Sequence, residues 1–216
     1  MNGEPYRGEI DARDALVYCA DGAAKGKVKI DENLGDFDSA REMPVPPPKE
    51  IFPEQKNETD GEIALERMLS VAKEKAISEI EIYGGGGGRE DHFLGNLHLL
   101  YRACMEGMPC SLVTNTSVLS AHRGKFTLKG IKGKTVSLLP FGGDAHIINN
   151  KGLFYPTDDL TLFYGCCRGI SNVGTDENAE INCDRGVLLA AVNKEKDVKN
   201  HLFETSEGNP THSAPL

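Results

Sequence analysis

The pattern of apolar positions between residues 59 and 104 predicts a helix, a strand and a second helix in succession. Thr59 and Glu62 have the spacing of a capping box, which marks the start of the first helix. Its buried stripe is formed by Leu65, Met68, Leu69, Ala72 and Ala76. Ile80 and Ile82 then alternate with polar residues, as in a strand with one buried face. The second helix has its stripe at Phe93, Leu97, Leu100 and Cys104.

A shorter apolar run at residues 15–20 ends at Asp21 and Gly22, which predicts an earlier buried strand followed by a turn. Strand, helix, strand and helix in this order are typical of an α/β domain with a mainly parallel sheet. We assign residues 1–109 to this domain. In such sheets ligands bind beyond the carboxyl ends of the strands, where Asp21 would lie.

The second half of the chain has no helical stripe and instead shows short strand patterns separated by glycines. The predicted strands are residues 110–114, 118–122, 125–128, 135–139, 145–148, 160–163, 178–183 and 187–192. This spacing predicts an all-β sandwich over residues 110–194, with a partly open barrel as the related possibility. Residues 195–216 are polar and are expected to form a tail.

The strongest chemical signal is a run of five glycines, residues 84–88, between the second predicted strand and the second helix. Glycine lets a ligand approach the backbone closely, and a helix N-terminus favours an anion. Arg89 adds a planar cation suited to phosphate. The loop lacks the Lys-Ser or Lys-Thr pair of a Walker A loop and the last glycine of the dinucleotide fingerprint. A plain flexible turn is the alternative interpretation.

Acidic residues indicate a second possible site. Asp36 and Asp38 point the same way if the backbone is extended, and this pair of hard oxygen ligands suits Mg²⁺. An aspartate-rich turn is the other interpretation. Asp60 follows Thr59 at the start of the first helix, where it either favours the dipole or projects toward a ligand.

The composition excludes several classes of function. The chain has 216 residues, with 39% hydrophobic and 26% charged residues, which is typical of a globular protein. Its net charge of −9 argues against nucleic acid or an anionic membrane as the main partner. We find no apolar run long enough to span a membrane and no signal peptide. The six scattered cysteines include no C-x-x-C pair, which favours reduced thiols in the cytoplasm over structural zinc.

These residues, in their order along the chain, resemble the thiamine pyrophosphokinase (thiamine diphosphokinase) family. The matching motifs are Asp21-Gly22-Ala23, Gly35-Asp36-Phe37-Asp38-Ser39, Thr59-Asp60, Gly87-Gly88-Arg89-Glu90-Asp91-His92 with Asn96, and Gly169-Ile170-Ser171-Asn172. The resemblance spans roughly residues 18–192. It implies an α/β catalytic domain followed by a β-sandwich, and a homodimer whose active sites are shared between subunits. The implied reaction transfers pyrophosphate from ATP to thiamine and releases AMP.

The resemblance also implies roles for individual residues. Asp36, Asp38 and Asp60 would hold Mg²⁺, and Asp21 or Asp91 would orient or deprotonate the thiamine hydroxyl. ATP would contact the glycine loop through Gly87, Gly88 and Arg89, with Gln55, Lys56 and Thr59 as further candidates. Thiamine would be contacted by Asp91, Asn96, Ser171 and Asn172, the last two reaching the site of the partner subunit.

The chain departs from the family pattern in three places. Between Asp21-Gly22 and Gly35 the family usually has a longer helix and an apolar strand, whereas this chain has only a short segment with Val28, Ile30 and Leu34 as its large apolar residues. Asn2-Gly3-Glu4 follows Met1 directly, so the first strand of the family is expected to be missing or truncated. The family's Lys-Asp-x-Thr-Asp reads Lys56-Asn57-Glu58-Thr59-Asp60, which moves one carboxylate by a position. Two other classes therefore stay open: a catalytically weak thiamine- or nucleotide-binding protein, and another Mg²⁺-dependent phosphotransferase or hydrolase.

Overall fold

The computed structural model describes residues 3–20, 28–37, 46–48, 51–53 and 57–196, which contain ten strands and two long helices. Strands β1 (Tyr18–Ala20) and β2 (Glu32–Leu34) pair in parallel as a small sheet. Helix α1 (Asp60–Lys75) packs on this sheet, where Ala64 meets Ala20 and Leu34. Arg67 of the helix also contacts the buried carboxylate of Glu32, with Nε 3.5 Å from Oε1.

The glycine run connects strand β3 (Ile80–Tyr83) to helix α2 (Glu90–Met105), which leads on to strand β4 (Cys110–Val113). Strands β3 and β4 are parallel neighbours. Leu100 and Leu112 are fully buried between α2 and the sheet, since both side chains have no exposed area. The strand at 110–113, which the sequence pattern groups with the C-terminal strands, therefore pairs with a strand of the N-terminal half.

The remaining strands continue the same sheet in antiparallel fashion. They are β5 (Ser117–Lys129), β6 (Lys134–Pro140), β7 (Ala145–Lys151), β8 (Leu160–Leu162), β9 (Asn172–Val173) and β10 (Asn178–Lys196). The strand order is β3-β4-β5-β10-β6-β9, and β7 pairs with both β10 and β8. The N-terminal half thus carries both helices, and the C-terminal half of the described chain is β-rich.

Strand β10 links two hydrophobic cores, because alternate residues of a strand face opposite sides. Val187 and Leu189 belong to the core under α1 and α2, whereas Leu188 and Ala190 belong to the core between the C-terminal strands. Strand β5 does the same along its length, with Leu119 in the first core and Leu128 in the second.

The structure confirms the two helices and most of the strands, and it corrects three boundaries. The predicted strand at 15–20 is shorter, at Tyr18–Ala20. Residues 118–122 and 125–128 form one strand, as do 178–183 and 187–192. Gly124 and Gly186 have φ of 71° and 82°, and the strand continues through each of them. In β10 the register shifts between Cys183 and Leu188, which marks an irregularity within one strand.

The capping box at α1 is also confirmed, since the Thr59 hydroxyl accepts from the Glu62 N–H and the Glu62 carboxylate accepts from the Thr59 N–H. Neither helix among the described residues is long and apolar enough to cross a lipid bilayer.

Candidate active site

The loop of residues 84–88 needs glycine for two separate physical reasons. Gly84, Gly87 and Gly88 have φ between 69° and 73°, the left-handed region that strains other residues. Gly85 and Gly86 are restricted by space instead. A Cβ on Gly85 would lie 2.8 Å from a Leu112 methyl, and one on Gly86 would lie 2.5 Å from a Thr114 methyl. The run is therefore a packed turn with a defined backbone.

Asn96 anchors this loop from helix α2. Its side chain is buried, and Nδ2 donates a hydrogen bond of 2.8 Å to the carbonyl oxygen of Gly85. The side chain that the resemblance assigns to thiamine is thus directed at the loop in this structure. Its contact shapes the backbone that would face a phosphate.

Arg89 and Asp91 form an exposed pair at the start of α2. Arg89 Nε lies 3.1 Å from Asp91 Oδ1, and Nη2 lies 2.6 Å from Oδ2, so the guanidinium makes a two-point contact. The Asp91 carboxylate also accepts from the His92 N–H at 3.0 Å. The Arg89 hydrogen bond, helped by the His92 N–H, lowers the pKa of Asp91 to about 2. Conversely, Asp91 raises the pKa of Arg89.

The N-terminal segment, residues 3–7, lies against the glycine loop. The N–H groups of Gly3 and Glu4 donate to the carbonyl oxygens of Gly84 and Gly86 at 3.1 and 2.8 Å. The Glu4 side chain covers Gly87, where an added Cβ would lie 2.7 Å from Glu4 Cγ. A further residue of the segment, Tyr6, packs on Tyr83 with ring centroids 5.0 Å apart.

Sequence reasoning missed this contact because the segment has no apolar period. The sequence Asn2-Gly3-Glu4 could have indicated this contact, but it is recognisable only by comparison with the family pattern.

The predicted metal ligands are only partly described. Asp36 is half-buried directly after β2, and Asp60 is half-buried in the first turn of α1. Because α1 packs back on β2, its N-terminus is expected near the carboxyl end of that strand. Asp38 lies outside the described residues. Within the described ranges, no three acidic, histidine or cysteine side chains come close enough to hold a metal ion.

Three other predicted residues, Asp21, Gln55 and Lys56, also lie outside the described residues. Thr59 is described, and its hydroxyl is used by the capping box.

The predicted thiamine residues of the C-terminal half have different surroundings. Asn172 is buried and clamps Tyr155, accepting from its N–H at 2.9 Å and donating to its carbonyl oxygen at 2.8 Å. Ser171 is exposed and has a left-handed backbone with φ of 62°. Its N–H donates to Ser137 Oγ at 3.1 Å, so the turn is fixed while the Ser171 side chain faces outward.

A shallow concavity of about 600 Å³ lies elsewhere, over β5, β7 and β10. None of the predicted site residues lines it. Its lining includes both cationic and acidic side chains, among them Lys125 and Glu180, and it has no glycine loop or helix N-terminus.

Comparison with known proteins extends over both halves of the chain. Two family models match: the thiamin pyrophosphokinase catalytic domain over residues 9–112, and the thiamin pyrophosphokinase vitamin B1 binding domain over residues 122–188. The thiamine pyrophosphokinase of Bacillus subtilis (strain 168) is 29% identical over 166 residues, which cover 73% of this chain and 76% of that protein.

Solved structures show the same fold. The crystal structure of thiamine pyrophosphokinase from Bacillus subtilis has a TM-score of 0.74 at 24% identity, covering 89% of this chain and 96% of that chain. The structure of thiamin pyrophosphokinase from Candida albicans has a TM-score of 0.67 at 16% identity, and the match covers 89% of this chain and 88% of that chain.

Proposed function

The chain belongs to the thiamine pyrophosphokinase family, and on that premise we propose that it transfers pyrophosphate from ATP to the thiamine hydroxyl, giving thiamine diphosphate and AMP. The observation that carries this proposal is the match of both family models, catalytic and vitamin B1 binding, in order along one chain. We propose an ATP-binding α/β domain at residues 1–109 and a thiamine-binding β-sandwich at 110–194, with β4 (Cys110–Val113) pairing with β3 across that boundary in one continuous sheet. The proposed polar tail, residues 195–216, begins inside β10, which ends at Lys196.

The glycine loop and Arg89 are proposed to hold the phosphates of ATP. Gly87 and Gly88 carry no Cβ, and the loop runs directly into the N-terminus of α2. At Gly87 the Glu4 side chain would have to move aside for a phosphate, because it lies where a Cβ would point. Arg89 is exposed and already presents its guanidinium in a two-point contact with a carboxylate. Phosphate oxygens fit the same fork, so ATP would compete with Asp91 for Arg89. Gln55, Lys56 and Thr59 stay as further candidates on the same side.

Asp91 is proposed to orient the thiamine hydroxyl by accepting its hydrogen bond. In the absence of ATP, Arg89 holds Asp91 in its charged form and lowers its pKa, and a charged carboxylate accepts a hydrogen bond from a hydroxyl. Asp21 is proposed as the alternative residue that orients or deprotonates the hydroxyl. Asn96 contributes by fixing the loop through Gly85.

Asp36, Asp38 and Asp60 are proposed to hold Mg²⁺. The two described members supply hard carboxylate oxygens at the end of β2 and at the start of α1, which pack together. When bound, the ion would neutralise charge on the phosphate oxygens. The protein's own share of catalysis is then to position the two substrates, as in other phosphoryl transfers.

Ser171 and Asn172 are proposed to form the thiamine end of the site, at the active site of a partner subunit in a homodimer. Ser171 is the exposed member, whereas the buried Asn172 amide, bonded to Tyr155 in both directions, would have to exchange one of these bonds to contact thiamine. The exposed Ser171 side chain is flanked by exposed apolar residues of the same loop, among them Phe163, Tyr164 and Ile170. Exposed apolar residues of this kind support a subunit contact. The six free cysteines support a reducing, cytoplasmic location.

The reaction is tested with purified protein, ATP, Mg²⁺ and thiamine, followed by chromatography of the nucleotides and thiamine esters. We expect thiamine diphosphate and AMP in equal amounts. Release of ADP, or ATP consumption at the same rate without thiamine, would show another phosphotransferase or a hydrolase. Binding of thiamine without turnover would show a binding protein.

The shared site is tested by mixing Asp38→Asn and Ser171→Ala at ordinary Mg²⁺, after each variant has been shown to be impaired on its own. If each active site combines residues from both subunits, subunit exchange restores about one intact site per heterodimer. A mixture that exchanges subunits but stays inactive would place both residues in the site of a single subunit. Light scattering that shows a monomer would exclude the homodimer.

A further inference from the structure

The side chain of Glu4 lies against the glycine loop, at the place where the proposed function puts a phosphate. An ideal Cβ built on Gly87 would lie 2.7 Å from Glu4 Cγ and 2.9 Å from Glu4 Cδ. The carboxyl end of Glu4 therefore fills the space that the absent side chain of Gly87 leaves open. A phosphate group that approaches the backbone at Gly87 from this side meets Glu4 first.

The backbone on both sides of Glu4 is fixed. The Glu4 N–H donates to the Gly86 carbonyl oxygen at 2.8 Å. Further along the segment, the Asn115 side chain accepts from the Arg7 N–H at 2.8 Å and donates to the Pro5 carbonyl oxygen at 3.2 Å. None of these bonds uses the Glu4 carboxylate. The place of Glu4 beside the loop is therefore set by the backbone, and the side chain can rotate while the segment stays docked.

The Glu4 carboxylate itself has no polar partner. Among the residues that the structure describes, it makes no hydrogen bond and no ion pair. Arg89, the cation that follows the loop, is in two-point contact with Asp91 instead. Glu4 is also exposed, so its side chain can rotate into solvent without breaking a polar contact. The loop thus carries an uncompensated negative charge at Gly87.

We propose that Glu4 is a gate on the phosphate loop: its carboxylate covers Gly87 in the ligand-free protein and rotates away when a phosphate group of ATP binds. The gate rests on the proposed function, because it takes ATP as the ligand of the loop. Two physical effects oppose the phosphate, since the side chain fills the space and its charge repels a polyanion. The segment therefore acts in two opposite senses. Its backbone bonds hold the loop in shape, whereas the Glu4 side chain lowers the affinity for ATP.

The first test measures ATP affinity of the full-length protein by calorimetry at constant Mg²⁺ and physiological salt. Glu4→Gln keeps the size of the side chain and removes its charge. We expect ATP to bind about fivefold more tightly, the factor by which two unit charges about 4 Å apart in water change a binding constant. Glu4→Ala removes charge and volume together and should bind ATP on the order of tenfold more tightly.

Two controls separate the gate from a general effect of charge or stability. Glu9→Gln makes the same charge change at an exposed residue beyond the segment and should leave ATP affinity unchanged. Adenosine carries no phosphate, so it should bind the native protein and the three variants equally. A merely structural role of Glu4 would weaken ATP binding on substitution, whereas the gate requires a gain.

The second test follows the side chain directly by NMR of the native protein. We expect a nuclear Overhauser contact between the Glu4 γ protons and the Gly87 α protons in the absence of ligand. Saturating ATP should remove this contact, while the Glu4 amide keeps its slow hydrogen exchange because its bond to Gly86 stays in place. A contact that is absent without ligand, or that persists with ATP bound, would overturn the gate.

The affinities distinguish failure of the gate from failure of the proposed function. A gain in Glu4→Ala alone would assign the gate to the volume of the side chain. ATP binding with no gain in either Glu4 variant, or a gain that adenosine shares, would overturn the gate and leave the proposed function intact. ATP that binds neither the native protein nor any variant would refute the proposed function, and the gate with it.

Discussion

Nδ2 of Asn96, on helix α2, donates a hydrogen bond of 2.8 Å to the carbonyl oxygen of Gly85, in the middle of the glycine loop. The donor is buried, and so is Gly85, so water is poorly placed to replace the bond. The contact joins the element that would receive a phosphate to the helix whose N-terminus would attract it. Loop shape and helix position are thereby coupled through one side chain.

Asn96→Ala should therefore destabilise the protein by about 1–3 kcal/mol, the cost of leaving a buried carbonyl without its partner. It should also raise the KM for ATP more than it lowers kcat, because the loop loses its fixed shape. Urea unfolding and steady-state kinetics measure the two effects. Gly95→Ala is the matched control, since its added methyl meets nothing within 4 Å. It should stabilise α2 by up to about 1 kcal/mol and leave the KM unchanged. Equal KM changes in both variants would contradict the role of Asn96.

How far the sequence predicts the structure depends on whether the signal is local. The capping box at Thr59 and the apolar stripe of α2 depend on spacing within one element, and both are confirmed. The joining of strands at Gly124 was not predictable from turn residues, because a glycine with positive φ permits either a turn or a bulge. Its outcome depends on the partner strand β10, which is distant in sequence.

The candidate site shows the same division. The residues alone predicted a phosphate site at the glycine loop and Arg89, and that role stays a prediction, whereas the structure describes the shape of the loop. The contact of Glu4 with Gly86 could not be predicted from the sequence. Residues 3–7 are polar and show no apolar period, and they contact the loop through backbone hydrogen bonds, which any residue type can make. The hydrogen bond from the Asn96 side chain to the Gly85 carbonyl oxygen could not be predicted either, since it depends on the path of the loop beside the helix.

The Arg89–Asp91 pair predicts an ionisation that can be measured directly. Asp91 has a folded-state pKa of about 2, below its ordinary value of 3.8, because Arg89 holds its charged form. The sign of this shift means that the contribution to stability is present above about pH 4 and is lost as pH falls toward 2. Arg89→Gln should raise the pKa of Asp91 toward the ordinary value, as followed by NMR titration of the carboxyl carbon.

The control for this measurement is the pair Arg13 and Asp11, which has the same spacing and also lowers the pKa of its aspartate. Arg13→Gln should raise the pKa of Asp11 and leave that of Asp91 unchanged. An Asp91 pKa that does not move in Arg89→Gln would show that the guanidinium is not its partner in solution. A loss of ATP binding in Arg89→Gln, with binding kept in Arg13→Gln, would support the phosphate role.

Two histidines predict opposite slopes of stability with pH. Asp184 and Asp159 accept from the two ring nitrogens of His146, at 2.6 and 3.2 Å, and raise its pKa above 6.5. Its contribution to stability is therefore present below pH 6.5 and is lost as pH rises through the folded-state pKa. Burial lowers the pKa of His122 to about 4, so stability linked to His122 rises between pH 4 and 6.5.

Thermal unfolding between pH 4 and 9 separates the two contributions. His146→Gln should remove the loss of stability above pH 6.5, and His122→Gln should flatten the rise below it. Each variant serves as the control for the other, because both lie on neighbours of β10 and titrate in different windows. A loss of stability above pH 6.5 that persists in His146→Gln would assign it to another group.

Removal of a proposed metal ligand should impair activity while the fold is kept. Asp36→Asn and Asp38→Asn each remove one charged ligand of the proposed carboxylate group, so we expect at least about tenfold lower kcat/KM at ordinary Mg²⁺. Raising Mg²⁺ should restore part of the activity by mass action. Asp14→Asn, a charge change at an exposed residue outside the proposed group, is the matched control. Unchanged activity of both ligand variants at ordinary Mg²⁺ would remove Asp36 and Asp38 from the metal site.

The last prediction concerns how the end of β10 holds the N-terminal segment on the glycine loop. Lys194 Nζ donates to the Tyr6 hydroxyl at 2.9 Å and lies 4.3 Å from the centre of the Tyr6 ring. The same segment donates its Glu4 N–H to Gly86. Lys194→Met keeps the length of the side chain but removes both polar contacts. Because a cation–π contact at an exposed site contributes about 0.5–1 kcal/mol, opening of the segment should become about two- to fivefold more frequent.

Hydrogen exchange of the Glu4 amide measures this opening, and the KM for ATP reports whether the loop below it responds. We expect faster exchange at Glu4 and a higher KM for ATP in Lys194→Met. Lys129→Met, at the exposed end of β5, makes the same chemical change away from the segment and should alter neither quantity. Faster exchange with an unchanged KM would show that the segment covers the loop without shaping it. Unchanged exchange would show that Lys194 does not hold the segment, and the contacts of Gly3 and Glu4 with the loop would then account for its position.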